Sequence, residues 1–154
     1  MLNQKIYVVL DNIRSRENVG SIFRTVDAVG VSKIYLCGIT PTPPHEKISK
    51  TALDAEKWVP WEYHKQTWRL LDGLKKEKIN VIALEKTKGS INLFDFKPEF
   101  PLVLVVGNEV KGLSQKILKY AGKKVFIPMQ GEKESLNVAV AFGIAVYAIT
   151  HKIS

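Results

Sequence analysis

Residues 102–114 read LVLVVGNEVKGLS, a continuous apolar run that ends in a loop with a glycine on each side. A strand that is buried on one face alternates apolar and polar residues, whereas a strand covered on both faces is apolar throughout, as in parallel sheets. The segment therefore predicts a central parallel strand over residues 102–107, followed by a polar loop at its carboxyl end.

Four further runs of the same kind lie at residues 5–11, 33–37, 79–84 and 124–128. Between them, apolar residues recur at helical spacing. These positions are Val19, Ile22, Phe23, Val26 and Val29, and then Leu70, Leu71 and Leu74. The alternation predicts an α/β fold with a mostly parallel sheet of five or six strands flanked by helices. Such sheets bind ligands at the carboxyl ends of their strands.

The length and the charge set broad limits. A chain of 154 residues has the usual size of one domain, so we predict a single domain over residues 1–154. There are 23 Lys and Arg residues against 15 Asp and Glu, which gives a net charge of +8. This charge favours a polyanionic partner such as RNA or DNA, but it also fits a surface that only keeps the protein soluble.

Nothing in the sequence indicates export, a membrane or a metal. Residues 1–10 lack a signal-peptide cleavage pattern, and the apolar stretch at 138–150 is shorter than the roughly 20 residues of a membrane span. The single cysteine, Cys37, lies in an apolar run that predicts a buried thiol. Because no signal peptide is indicated, we expect a cytoplasmic protein. Because the histidines show no metal-ligand spacing, we expect no metal.

The last predicted helix, residues 135–152, reads SLNVAVAFGIAVYAITHK and is apolar on nearly every face. Such a helix must be buried all round, and a small domain covers only one of its faces. A second copy of the chain is the simplest cover for the rest, so we predict a homodimer through this helix. A helix wholly inside the monomer core is the alternative.

A first polar motif, NIRSRENVGSIFR at residues 12–24, follows the first strand and opens the first helix. Asn18 is predicted to cap that helix, and Arg24 lies about 9 Å further along the axis. Together Arg14, Arg16 and Arg24 concentrate positive charge near free helix N–H groups, a setting suited to an RNA phosphate. A capping asparagine with solvated arginines is the simpler alternative.

The second motif is the loop at residues 107–112. Its glycines, Gly107 and Gly112, permit close approach of a ligand to the backbone. Glu109 is predicted to hold a neighbouring arginine or a ribose hydroxyl, or only to favour the N-terminus of the next helix. The loop has neither the phosphate-binding pattern of ATP sites nor the glycine pattern of dinucleotide sites.

The third motif, IPMQGEKESLNVAVA at residues 127–141, joins a strand to the apolar helix. Ser135 as an ordinary helix cap is the simpler alternative, but it leaves Asn137 in need of hydrogen-bond partners at a buried entrance. Two polar side chains that converge at such a place indicate a site.

The three motifs, in this order, resemble the SpoU/TrmH family of RNA 2′-O-ribose methyltransferases, within the SPOUT superfamily, over nearly the whole chain. The resemblance rests on Asn18…Arg24, on Gly107-Asn108-Glu109…Gly112, and on Ile127-Pro128-Met129…Ser135-Leu136-Asn137. It implies a deep trefoil knot in the C-terminal part and S-adenosyl-L-methionine as the cofactor. The cofactor-binding residues that it implies are Leu84, Gly107, Asn108, Gly112, Ile127, Met129, Ser135, Leu136 and Asn137.

The resemblance also implies the catalytic set Arg24, Asn18, Glu109, Ser135 and Asn137. The resemblance implies that Arg24 deprotonates the ribose 2′-hydroxyl with help from the substrate phosphate. Because a guanidinium is effectively never deprotonated in proteins, the alternative is that Arg24 holds the phosphate and stabilises the developing alkoxide while the proton leaves to another acceptor. The implied partner is RNA, bound with the help of Arg14, Arg16 and Arg24, with tRNA preferred over rRNA. One departure is Ala139, where many family members have a serine, and we expect it to alter packing rather than catalysis.

Two alternatives stay open at this point. One is a knotted RNA-binding protein without methyltransferase activity, against which the intact catalytic set argues. The other is a nucleotide-dependent enzyme of ordinary doubly wound fold, which predicts a glycine-rich loop after the first strand, where this sequence is rich in arginine.

Overall fold

The computed structural model describes residues 4–152, so the parts of the predicted domain at 1–3 and 153–154 lie outside the described range. The strands are β1 (Ile6–Asp11), β2 (Lys33–Cys37), β3 (Trp61–His64), β4 (Asn80–Leu84), β5 (Ile91–Asn92), β6 (Leu102–Val106) and β7 (Lys123–Phe126). The helices are α1 (Arg16–Val29), α2 (Glu46–Ala52), α3 (Thr67–Lys76), α4 (Gln115–Leu118) and α5 (Val138–Thr150).

The strands form one seven-stranded sheet in the order β3-β2-β1-β6-β4-β7-β5, and every neighbouring pair is parallel. The predicted parallel α/β sheet is confirmed, and all five predicted strands are present. The expected number of strands was too low because β3 and β5 were missed. Both are short strands at the sheet edges with half-exposed residues, so neither produces a continuous apolar run.

Helices cover both faces of the sheet. Leu10 and Leu104 belong to a core cluster that includes Phe23 of α1 and Phe142 of α5. Alternate strand residues point the other way, into a second cluster with Leu71 and Leu74 of α3. Cys37 lies in that second cluster and is fully buried, as predicted. Burial on both faces explains why the central strands are apolar throughout.

Helix α1 begins one turn earlier than predicted. Its N-cap is Ser15, whose hydroxyl accepts a hydrogen bond of 3.1 Å from the backbone N–H of Asn18. The prediction that Asn18 caps this helix is therefore wrong, and its side chain is free for other contacts. Gly20 lets α2 pack closely, because a β-carbon at this position would lie 2.4 Å from the carbonyl oxygen of Ile48.

Helix α5 is shorter than the predicted 135–152, and Asn137 rather than Ser135 is its N-cap. Its buried face consists of Phe142, Ala145, Val146 and Ile149. Its opposite face is open, with exposed fractions of 51% at Val140, 37% at Ile144 and 42% at Tyr147. The single chain therefore does not bury this helix all round. No helix within residues 4–152 is long and apolar enough to cross a membrane.

Candidate active site

The three polar motifs meet at the carboxyl edge of the sheet. The loop at 12–15 follows β1, the loop at 107–114 follows β6, and the segment 127–137 follows β7. β1 and β6 are neighbours in the sheet, and the segment after β7 leads into α5, which packs on α1. Parallel strands end at the same edge, so the topology brings together loops that are far apart in sequence.

Asn18 lies at the centre of this meeting point. Its amide nitrogen donates to Oε2 of Glu109 at 3.3 Å, and its amide oxygen accepts from the side-chain nitrogen of Asn137 at 3.2 Å. One residue from each motif thus contributes to a single chain of hydrogen bonds, which we call the polar network. These directions fix the orientation of the Asn18 amide, because each of its two ends meets a partner of the opposite kind.

Glu109 holds the backbone that precedes α1. Its carboxylate accepts hydrogen bonds from the N–H groups of Arg14 at 3.0 Å and Ser15 at 2.9 Å, as well as from Asn18. Partial burial alone would raise the pKa of Glu109, but these hydrogen bonds together outweigh it and lower the pKa below its ordinary value. The expected contact with an arginine side chain is absent within residues 4–152, where Glu109 binds the main chain of Arg14 instead.

Asn137 links the polar network to α5. Its amide oxygen accepts hydrogen bonds from the N–H groups of Ala139 at 2.9 Å and Val140 at 3.2 Å, which leaves the amide nitrogen for Asn18. Asn137 thus finds the partners that the sequence analysis required. Asn137 and Ser135 are both exposed, however, so the expectation of a buried entrance is wrong. Ser135 makes no hydrogen bond to another residue of the range 4–152.

Hydrogen bonds of the Asn108 side chain hold the loop after β6 in place. The side chain of Asn108 donates to the carbonyl of Asn12 at 2.7 Å and accepts from the N–H groups of Val110 and Lys111, both at 2.9 Å. This amide is therefore occupied within the protein, and the backbone carbonyl of Asn108 accepts a further hydrogen bond of 2.9 Å from the N–H of Gly112. Gly107 is required, because a β-carbon there would lie 2.7 Å from the backbone carbonyl carbon of Gly112.

A cavity of about 770 Å³ opens beside this loop, within the usual range of ligand sites. Eight of the nine predicted cofactor residues line it, namely Leu84, Gly107, Asn108, Gly112, Ile127, Met129, Ser135 and Leu136. Asn137, the ninth, lies outside its wall and joins the polar network. The wall combines apolar side chains with glycine backbone and with charged side chains, among them Lys86 and Lys111. That composition suits a ligand with an apolar ring and several polar groups.

The three predicted RNA-binding arginines, Arg14, Arg16 and Arg24, are exposed. Arg24 makes no hydrogen bond or ion pair with any residue between 4 and 152, so the structure does not join it to the polar network. The six residues that separate Arg24 from Asn18 turn the helix by about 600°, which leaves the two side chains about 120° apart. The helical geometry therefore directs the Arg24 side chain away from that of Asn18.

Sequence reasoning missed three acidic residues of the cavity wall, Glu85, Glu132 and Glu134. Glu85 directly follows β4 and lines the cavity beside Leu84. Its position at the carboxyl end of a predicted strand was the available signal. In the part of the chain that the structure describes, no group of three His, Cys, Asp or Glu side chains is arranged to hold a metal ion.

The fold and the site together define a parallel α/β protein with a small-ligand cavity beside converging polar side chains. Residues 5–147 match the model described as the SpoU rRNA Methylase family, and the chain belongs to this family.

Individual relatives agree with this family. A curated protein from Aquifex aeolicus, named tRNA (guanosine(18)-2′-O)-methyltransferase, is 37% identical over 143 residues, which cover 92% of this chain and 67% of the relative. The chain spans about two thirds or less of the length of the curated relatives that it matches.

Solved structures of RNA methyltransferases have the same fold as this chain. An AdoMet-bound rRNA methyltransferase from Sinorhizobium meliloti superposes with a TM-score of 0.88 at 29% identity, covering 99% of this chain and 58% of that one. A structure described as concerning 2-OH methylation of C/U34 on tRNA superposes with a TM-score of 0.87 at 26% identity, covering 98% of this chain and 97% of that one.

Proposed function

We propose that this protein is an S-adenosyl-L-methionine-dependent RNA 2′-O-ribose methyltransferase, with tRNA as its preferred substrate over rRNA. The observation that carries the proposal is the polar network of Asn18, Glu109 and Asn137 beside a cavity of about 770 Å³. The network supplies fixed polar groups for a ribose, and the cavity supplies the volume for a nucleoside cofactor. The names of the relatives support the same activity.

The cavity fits S-adenosylmethionine on the chemistry of its lining. Leu84, Ile127 and Leu136 offer apolar contact for an adenine ring, while polar side chains of the wall, among them Lys111 and Ser135, offer partners for the polar parts of the cofactor. When bound, S-adenosylmethionine supplies a methyl group for in-line displacement by the ribose 2′-oxygen. Ser135 lines the cavity and is exposed. We assign it to the place where the RNA ribose and the cofactor meet.

The protein's own residues position the 2′-hydroxyl. Asn18 is held at both ends by Glu109 and Asn137, so it presents a fixed edge to the ribose without reorganisation during the reaction. We assign Arg24 to the phosphate beside the target nucleotide and to the negative charge that develops on the 2′-oxygen. Its guanidinium stays protonated, so the 2′-hydroxyl proton leaves to another acceptor.

RNA is the partner that the surface favours. Arg14 and Arg16 are exposed next to the N-terminus of α1, where free N–H groups add to the attraction for a phosphate. The net charge of +8 favours the same polyanion. We prefer tRNA because two copies of so small a domain offer a basic face of a size that fits a compact stem-loop, and because the curated relative from A. aeolicus is named for a tRNA position.

We further propose that the enzyme is a homodimer formed through α5. Val140, Ile144 and Tyr147 follow one another at helical spacing and form an apolar stripe on the exposed side of this helix. A second copy of the stripe would cover it in an isologous interface.

The proposal includes a deep trefoil knot in the C-terminal part of a single SpoU-type domain and a cytoplasmic location, where bacterial tRNA is made. The knot is supported by the strand order, because β7 inserts between β4 and β5, two strands that both precede it in the chain, before the chain continues to α5. A crystal structure that traces residues 85–137 tests it.

The experiment that tests the activity measures transfer of labelled methyl from S-adenosylmethionine to total RNA, followed by nucleoside analysis. We expect label in a 2′-O-methylnucleoside with the wild-type protein and a loss of at least about a hundredfold with Arg24→Ala. Arg69→Ala is the matched control, because Arg69 is also exposed but lies on α3. RNA binding without any transfer would favour the alternative of a non-catalytic RNA-binding protein.

A further inference from the structure

Glu85 presents half of its carboxylate to the cavity. The side chain is half-buried, and its Oε1 accepts a hydrogen bond of 3.1 Å from the backbone N–H of Leu113. Its second oxygen, Oε2, has no hydrogen-bond partner among residues 4–152. One oxygen is therefore tied to the loop after β6, while the other remains available on the cavity wall.

The loop holds this carboxylate in a fixed place. A β-carbon at Gly112 would lie 2.7 Å from Oε2 and 2.8 Å from Oε1 of Glu85, so the carboxylate lies directly over this glycine. Gly112 has φ +67°, a conformation that disfavours other residues. The contact therefore depends on glycine at 112, and Glu85 is preorganised by the same loop that forms the cavity.

The surroundings of Glu85 also favour a ligand that donates hydrogen bonds. Burial raises the pKa of Glu85, and the single N–H of Leu113 offsets this only in part. A carboxylate so placed gains from a hydroxyl donor that replaces the water it has lost. Acidic side chains that follow a strand at the carboxyl edge of a parallel sheet bind ribose hydroxyls in other nucleoside sites.

We propose that Glu85 is a cofactor-binding residue that accepts hydrogen bonds from the ribose hydroxyls of S-adenosylmethionine. This inference rests on the proposed function and assigns one end of the cofactor within the cavity. The ribose lies against Glu85 and Gly112, and the adenine occupies the apolar part of the wall that includes Leu84. Glu85 then selects a ribonucleoside cofactor, separately from the polar network that receives the RNA ribose.

The test measures binding of S-adenosylhomocysteine and of its 2′-deoxy and 3′-deoxy analogues by titration calorimetry, with wild type and Glu85→Ala. We expect the wild-type protein to bind at least one deoxy analogue about tenfold more weakly than the parent compound, as for one hydrogen bond to a charged group. In Glu85→Ala this preference should vanish. Glu77→Ala, which removes an exposed carboxylate at the end of α3, should retain it.

A purely structural role of Glu85 has a different signature. If the side chain only supports the N–H of Leu113, Glu85→Ala will weaken the parent compound and the deoxy analogues by the same factor, and the proposal is overturned. Glu85→Gln guards against loss of folding, because it keeps an oxygen acceptor for Leu113; its melting temperature should stay near that of wild type. Its preference between the ligands should be reduced.

Other outcomes separate this inference from the proposed function. If wild type binds S-adenosylhomocysteine without any preference for the ribose hydroxyls, the assignment of Glu85 fails while the proposed function stands. A preference for the adenine amino group, measured with an analogue that lacks it and abolished by Glu85→Ala, would place the adenine at Glu85 and overturn the ribose assignment. If wild type binds none of these compounds, both proposals fail.

Discussion

The side-chain amide of Asn137 donates a hydrogen bond of 3.2 Å to the amide oxygen of Asn18, which lies 119 residues earlier in the chain. The same Asn137 caps α5 through its amide oxygen. One side chain therefore both begins a helix and holds the central residue of the polar network.

These two roles of Asn137 are separable by mutation. Asn137→Asp keeps an oxygen that caps α5 but lacks the donor to Asn18, so we expect a melting temperature near that of wild type and methyl transfer reduced about tenfold. Asn137→Ala loses the cap as well, which should lower the free energy of unfolding by about 1 kcal/mol. Thermal unfolding and the methyl-transfer assay measure the two effects. Full activity in Asn137→Asp would show that the hydrogen bond to Asn18 has no part in catalysis.

The hydrogen bonds of Glu109 predict a pH-dependent contribution to stability. The pKa of Glu109 in the folded protein lies below its ordinary value of 4.5, so the ionised form stabilises the fold. This contribution is present above about pH 4.5 and is lost as the pH falls through the folded-state pKa. The difference in free energy of unfolding between wild type and Glu109→Gln should therefore be larger at neutral pH than in acid.

Denaturant unfolding at several pH values measures this difference. Glu132→Gln is the control, because Glu132 is exposed and makes no hydrogen bond to a residue of the described range, so its effect should vary little with pH. A constant gap between wild type and Glu109→Gln at all pH values would contradict the stabilising role of the ionised carboxylate.

Gly112 predicts a specific clash in the cavity. Gly112→Ala introduces a β-carbon 2.7 Å from Oε2 of Glu85, at a backbone φ of +67°. We expect cofactor affinity, measured by calorimetry, to fall about tenfold or more, because the loop and the carboxylate must move apart. Gly89→Ala is a matched control with φ +84° and open space around the new methyl group. Equal losses of cofactor affinity in the two variants would show that the effect comes from backbone strain alone.

The stripe on α5 predicts the state of assembly. Ile144→Lys places a charge in the centre of the proposed interface, so we expect a monomer where the wild type sediments as a dimer. Leu53→Lys, at an exposed apolar residue outside α5, should remain dimeric. Circular dichroism checks that both variants are folded. A wild-type protein that sediments as a monomer would refute the proposed interface directly.

The central part of the fold was readable from the sequence. The strands β1, β2, β4 and β6 are mostly buried, and each leaves a continuous apolar run in the sequence. β7 was predicted from the run at 124–128, although only Val125 of this strand is buried. The edge strands β3 and β5 left no such run, because strands of four and two half-exposed residues need few apolar side chains. The start of α1 was misplaced because Ser15 and Asn18 are equally good caps by residue type.

The polar residues of the candidate site could also be predicted from the sequence, but their hydrogen-bond partners could not. The sequence identified Asn18, Glu109 and Asn137 as polar residues at functional addresses, yet the strand order alone brings them into contact across 91 and 119 positions. The same order turned Glu109 toward backbone N–H groups, left Arg24 without a partner in residues 4–152, and placed Glu85 on the cavity wall. Burial can be predicted from a local stretch of sequence, because each buried position favours an apolar residue. A hydrogen bond between distant loops cannot, because it depends on how the strands between them are arranged.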